Sequence, residues 1–249
     1  MNPYLGMALH VLGFSVWSSL WPRPFIKSRL EPLMGWVGYR FFYNFGVIFL
    51  FGASILYLVQ KGPETAQLWN FRGEPWFKPL IYILMGLVMF FLAGVAPMGR
   101  SFWGLGRPPE KFTLIQSGMY RITRHPLYVA VFLCLVAKTL VFGNAAALIW
   151  SVGLLAYNII GVWVFETPSV RAQWGEEFDT YQKRVHWFPF VSILMGKEKF
   201  VWDEMPRRAF AVLAICYLGI VLLHDTLVWL THILPRLGYV TGWFADKLF

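Results

Sequence analysis

Charge is what this sequence has least of. Only 14% of its 249 residues are Asp, Glu, Lys or Arg, against roughly a quarter in a soluble domain, which excludes an ordinary water-facing surface. Cysteine is nearly absent. Cys134 and Cys216 both lie in apolar runs, so a disulfide framework is excluded and both are read as buried thiols. No Lys or Arg occurs in the first 21 residues. That removes the charged front of a secretory signal, and Met1 to Trp21 reads as a retained span. Repeats, low-complexity tracts and long linkers are missing too, so one domain over 1–249 is expected. Acids number 13 against 22 Lys and Arg, a formal charge of +9. No basic run is interleaved with polar surface residues, so this excess points away from nucleic acid and toward anionic membrane lipids as partners.

What the chain does have is apolar and aromatic bulk, 57% and 19% respectively. Six runs approach the roughly 20 apolar residues that cross a bilayer. They lie near 4–21, 41–60, 78–97, 126–142, 146–165 and 209–233. The expected fold is therefore all-α and integral to a membrane, with about six transmembrane helices. Gly143-Asn144 is a tight turn that makes the fourth and fifth helices an antiparallel hairpin. Loops 22–40, 98–125 and 167–208 hold sixteen Lys and Arg, and the opposite side holds five. By the positive-inside rule, both termini then lie outside the cytoplasm of a multi-pass protein, expected in a bacterial inner membrane. Residues 22–40 are expected as a loop. Ser169 to Lys183 is expected as an amphipathic interfacial helix between the fifth and sixth spans, with Val170, Trp174, Phe178 and Tyr181 on one face.

One segment stands out chemically. Arg121-Ile122-Thr123-Arg124-His125-Pro126-Leu127-Tyr128 packs cations and a proline directly before the fourth span. Hydrocarbon has no use for such a cluster, so it belongs at the membrane surface, where it can hold an anionic ligand. The hairpin returns the end of the fifth span, and with it Glu166, to the same face. Arg121, Arg124, His125, Tyr128, Glu166 and Tyr181 are therefore expected to converge. A carboxylate beside arginine and histidine suits a zwitterionic cofactor such as S-adenosylmethionine. The plainer alternative is an Arg124–Glu166 pair that only sets span depth.

The run SGMYRITRHPLY, followed by Glu166 and WGEEFDTYQKRVHWFPF, resembles the isoprenylcysteine carboxyl methyltransferase and phospholipid methyltransferase superfamily. His10, RFFYN at 40–44, QLW at 67–69, CLVAKTLVFGN at 134–144 and the tail VWDEMPRRAFAVLAICYLGIVLLH make the whole chain similar to its NnrU, 15-cis-zeta-carotene isomerase-like branch. Two chemistries are implied by that resemblance. The methyltransferases bind S-adenosylmethionine between the RHP element and an acidic pair; Glu166 matches the first acid, while Thr167 and Pro168 follow it and Ala130 replaces an expected glycine. The isomerases imply haem b, held by an early histidine, a cysteine and a histidine four positions on. His10 and Cys134 match as metal ligands, but Lys138 stands in the last position.

Three readings follow. The first is S-adenosylmethionine-dependent methyl transfer to a small or lipid-phase acceptor, with Arg124 and His125 on the cofactor carboxylate, Tyr128 and Tyr181 shaping the pocket, and Glu166 binding its amino or ribose groups. The alternative is haem-dependent cis–trans isomerisation of a polyene. The third, since both motif sets are incomplete, is a non-catalytic accessory subunit or assembly factor of a larger membrane complex. Lys138 is a functional candidate as an intramembrane cation, or a side chain snorkelling toward Gly143. His186 and His232 near interfaces need no function, and His224 beside Asp225 is read as a buried pair.

Overall fold

Short-range signals set the helix boundaries. Asn2 caps α1 (Pro3–Leu20), its side chain accepting from the Tyr4 N–H at 2.9 Å, with Pro3 preset for the first helical turn. Pro126 starts α4 (Pro126–Phe142) in the same way. Gly143 ends that helix in the left-handed conformation (φ 62°), and Asn144 caps α5 (Ala145–Ile160) by accepting from the Ala147 N–H at 2.9 Å. Between α1 and α4 lie α2 (Pro24–Lys61) and α3 (Phe77–Ala93). From α5 the chain continues through a π-helical turn, Gly161–Glu166, into α6 (Thr167–Arg184). A short α7 (Val191–Leu194) and a long α8 (Arg207–Ile233) follow. The structure, a computed structural model, describes residues 1–95 and 113–233; in α8 it describes side chains through 219 and at 221 and 222. No strand occurs among the described residues.

The expected hairpin is present, and each of the six apolar runs coincides with a helix. Two helical stretches, Pro24–Glu64 and Ala145–Arg184, are long and apolar enough to cross a membrane, while Phe77–Ala93 and Pro126–Phe142 are apolar but shorter. The principal packing pairs are α1 with α2 and α5, α3 with α4 and α8, and α4 with α5. Two of the three apolar clusters among the described residues lie at these contacts. Met7, Leu58, Leu135, Ala147, Trp150 and Leu154 join α1, α2, α4 and α5. Val88, Phe91, Met119, Ile122, Ala130 and Met205 join α3 and α4 to the segments before α4 and α8. Outside these clusters the helices turn large apolar side chains outward: Phe41, Phe45, Phe49 and Leu56 on α2, Trp163 on the π-turn, and Ile215 and Leu222 on α8. Such a surface is far more apolar than a water-facing protein carries.

Three expectations need correction. Residues 22–40 are not a loop: residues 24–34 are helical, and a true break occurs only at Gly35, whose φ of 69° and ψ of 164° lie outside the helical region. Pro32 also sits in this stretch, where it deprives the preceding turn of a donor. The helix expected over 169–183 exists as part of α6, but Gly175 (φ 50°) breaks it, and its apolar face is used within the chain. Phe178 and Tyr181 are buried with Tyr120 and Val185, and Val170 and Trp174 pack on them. Finally, Cys216 is exposed on α8 and only Cys134 is partly covered. The side chains of His224, Asp225 and His232, and residues 98–112 of the basic loop, lie outside the described residues.

Candidate functional site at the open end of the hairpin

At the Gly143 end, α4 and α5 are closed by the 65–72 segment. At the other end they hold the RITRHP sequence. Pro126 at the first turn of α4 leaves His125 just outside the helix (φ −134°), its imidazole edge-on to Tyr128 at 5.6 Å between centroids. Across the hairpin, the π-turn of Gly161–Glu166 carries one residue more than an α-helical turn would, and such insertions often mark functional positions. It presents Glu166 to both side chains. His125 Nδ1 lies 3.3 Å from Glu166 Oε1, and the Tyr128 hydroxyl donates to Oε2 at 2.7 Å. One carboxylate thus holds an imidazole and a phenol, one on each oxygen.

Two buried donors in the segment that leads to His125 have no hydrogen-bond partner among the described residues, the Arg124 Nε and the Tyr120 hydroxyl. Burial pushes the Arg124 guanidinium below its ordinary range, with the Tyr181 phenol acting against it. Burial raises the Tyr120 phenol well above its ordinary range, and the Glu166 charge raises it further. Tyr181, also raised by burial, donates to the Tyr120 carbonyl at 2.8 Å and so fixes the segment rather than pointing freely into a pocket. The alternative Arg124–Glu166 pair does not form among the described residues, and unpaired buried donors of this kind are suited to a ligand that brings its own acceptor.

The 185–190 segment straps this end together. The Thr123 hydroxyl donates to the Trp187 carbonyl at 2.6 Å and accepts from the His125 N–H at 3.2 Å. Phe190, at a positive φ of 64°, donates its N–H to the Ile122 carbonyl at 3.1 Å. His186, expected to need no function, accepts the Arg124 N–H through its carbonyl at 3.4 Å.

Arg121 does not join the His125 group. Its guanidinium bonds Glu204 through Nε at 2.8 Å and Nη2 at 2.9 Å, and Glu198 through Nη1 at 2.9 Å. Glu198 is also bound by Arg184, and the Gly118 N–H donates to Glu204 at 2.9 Å. Both acids escaped the sequence reading, as did Tyr120. In a chain with 13 acids each one is informative, and Glu198 between Lys197 and Lys199 was the available signal.

The residues matched to haem ligands lie on different helices, His10 on α1 and Cys134 on α4. The His10 ring lies on Tyr57, 4.7 Å between centroids, in the contact of α1 with α2. Cys134 packs with Leu133 and Phe210 in the other apolar cluster, and Lys138, one turn further along α4, is half-buried. Among the described residues no three His, Cys, Asp or Glu side chains converge as a metal site.

The family model for the NnrU protein matches residues 6–234. The chain belongs to the NnrU family. This NnrU chain is 26% identical over 213 residues to the chloroplastic 15-cis-zeta-carotene isomerase of Zea mays, covering 84% of the chain and 57% of that protein. It is 27% identical over 197 residues to the Arabidopsis thaliana protein of the same name, covering 79% of the chain and 52% of the relative. The chain thus spans little more than half the length of these curated relatives. No solved structure matches it.

Proposed function

We propose that this NnrU chain is a membrane-embedded isomerase acting on the cis double bond of a polyene. The observation that carries it is the likeness to two proteins named 15-cis-zeta-carotene isomerase over most of the chain's length. The outward apolar side chains of α2 and α8 support the setting. They suit spans lying in lipid and would let an apolar polyene arrive from the bilayer, and the sixteen Lys and Arg on one set of loops against five on the other favour both termini on the non-cytoplasmic side. Isomerisation transfers no atoms, so the protein must bind the chain and ease rotation about one bond. His125, Glu166 and Tyr128 are the proton-holding groups in place for that. A proton lent to one carbon of the double bond leaves a single bond that rotates, and its return to the same group restores the double bond. Glu166 orients the imidazole, and Tyr128 keeps the carboxylate from turning away.

Haem b is the cofactor that the resemblance implies for such a reaction. His10 and Cys134 are present, but Lys138 stands in the third ligand position and no three His, Cys, Asp or Glu side chains gather among the described residues, so the residues present do not match that ligand set. The test is to supply a 15-cis polyene in darkness to membranes bearing the chain, resolve the isomers chromatographically, and record an absorbance spectrum with and without added haem. Isomer conversion that Glu166→Gln abolishes supports the reading. No conversion with or without haem overturns it, and conversion only with a Soret band moves the chemistry to haem.

A second reading rests on the Arg124 Nε and Tyr120 hydroxyl, unpaired among the described residues in the segment that carries His125. These residues fit the amino-acid portion of S-adenosylmethionine: Arg124 and Tyr120 would bind its carboxylate and Glu166 its ammonium, with His125 and Tyr128 holding Glu166 in place. When bound, that cofactor supplies an electrophilic methyl group. Calorimetry on the purified protein decides, since no heat at millimolar cofactor removes the reading. A stoichiometric partner with neither activity would favour the accessory role.

A further inference from the structure

The bend in α2 holds two more buried donors that nothing among the described residues satisfies. The Trp36 Nε1 and the Arg40 Nε are both shielded from the surface and both without a hydrogen-bond partner. An unpaired buried donor costs about 1–3 kcal/mol, so two on touching side chains mark a place suited to an acceptor. The Arg40 guanidinium lies 4.7 Å over the Trp36 ring, and the Lys27 ammonium lies 4.8 Å from the same ring. Lys27 and Trp36 stand on opposite sides of the break at Gly35. Counter-charge is thin. Glu31 stands 3.5 Å from Lys27, while Arg40 makes no ion pair among the described residues. Around this doubly cationic indole the segment turns apolar side chains outward, with Phe25 58% and Leu33 81% exposed. Arg23, 3.8 Å over the Phe165 ring, ties the segment to the same end of the molecule as Glu166.

We propose that Lys27, Trp36 and Arg40 bind the phosphate of an anionic phospholipid headgroup, whose acyl chains lie along Phe25 and Leu33. A phosphate oxygen accepts from Arg40 Nε and Trp36 Nε1 once the indole swings outward, a side-chain rotation of the kind common on binding. Lys27 supplies a second charge, and the apolar side chains beside it fit a lipid better than a free anion. An indole over cations at the edge of an apolar surface matches the preference of tryptophan for the headgroup layer. The lipid source rests on the membrane setting proposed above.

Protein purified in neutral detergent is titrated calorimetrically with short-chain phosphatidylglycerol, short-chain phosphatidylcholine and inorganic phosphate. Saturable binding of phosphatidylglycerol alone is expected, weakened about tenfold or more in Arg40→Gln by loss of a charge-assisted hydrogen bond, and less in Trp36→Phe. Because Arg40→Gln can disturb folding, Lys27→Gln at a partly exposed position is the second variant and must also weaken binding. Equal binding of phosphatidylcholine, equal binding of inorganic phosphate, or unchanged affinity in Lys27→Gln and a folded Arg40→Gln each overturn the site. Extraction of membranes with alkaline carbonate tests the setting separately. A chain released by carbonate overturns the membrane reading, whereas a retained chain with no phosphatidylglycerol preference overturns only this site.

Discussion

The two ends of the α4–α5 hairpin are built on opposite terms. At the Gly143 end, backbone groups find partners in the 65–72 segment. The Leu68 and Trp69 N–H groups donate to the Gly143 carbonyl at 2.8 and 3.1 Å, Ala145 N–H to the Ala66 carbonyl at 2.9 Å, and Ala146 N–H to the Thr65 hydroxyl at 3.2 Å. Side chains close the rest: the Trp69 indole donates to the Leu140 carbonyl and Arg72 to the Val141 carbonyl, each at 3.3 Å. At the His125 end, by contrast, a π-turn replaces regular helix and the Arg124 Nε and Tyr120 hydroxyl stay buried without partners. A hydrogen-bonded end gives the hairpin its register, and the end with unmet donors is the one that offers a ligand partners. Changes at the first should act on stability and changes at the second on chemistry.

Gly143→Ala should cause the largest effect. A left-handed backbone costs a non-glycine residue about 1–2 kcal/mol, and a Cβ at this position would stand 2.2 Å from the Trp69 carbonyl oxygen and 2.8 Å from Gln67 Nε2. A loss of about 3 kcal/mol or more, read by thermal unfolding in detergent, is expected. Gly161→Ala is the control, because its Cβ would meet nothing within 4 Å. If the two variants unfold alike, the hydrogen-bonded end does not hold the register.

Glu166→Gln should do the reverse. It keeps an acceptor for Tyr128 and loses the charge that faces His125. Turnover should fall about a hundredfold, the usual scale for a misplaced proton-handling group, with little change in melting temperature. Equal losses of stability and activity would make Glu166 a structural anchor.

Thr123 joins the strap to the site, since its hydroxyl donates to Trp187 and accepts from His125 while fully buried. Thr123→Val leaves both partners unpaired and should cost about 1–3 kcal/mol. Thr123→Ser should restore most of that and of the turnover; a serine variant no better than valine would show that packing, not the hydroxyl, is what matters.

How much of this could be read from residues follows the range of each interaction. The Gly143-Asn144 turn and the proline before Tyr128 are local signals, and the helices they delimit lie where expected. The meeting of His125 with Glu166 followed from the hairpin alone. Arg121 was misplaced because its partners, Glu198 and Glu204, lie 77 and 83 residues away, beyond any periodic pattern. The π-turn and the Gly35 break were hidden for a different reason. Each depends on how a single residue is accommodated against its neighbours, and the apolar pattern runs through it unchanged.

The smallest expected effect concerns the ion network on the strapped side of the open end. Arg121 and, second, the Gly118 N–H hold the Glu204 carboxyl below its ordinary range by hydrogen bonding to its charged form. The unfolded carboxyl titrates near 4.3, so the folded value lies below that. Glu204 then contributes stability that is fully present above about pH 4.3 and is lost as pH falls through the folded value, where the native state too takes up the proton. Arg121→Gln removes the larger cause and leaves the Gly118 contact. Melting temperatures recorded from pH 6.5 down to 3 should therefore fall less steeply below about pH 4.3 in Arg121→Gln than in the parent chain. The difference should be modest, since Glu204 is partly open to solvent, and should shrink with added salt. Turnover at pH 7 should be nearly untouched, because Arg121 makes none of the contacts of the His125–Glu166 pair. A hundredfold loss of turnover in Arg121→Gln would instead place that guanidinium at the ligand and break the division between the ion network and the site.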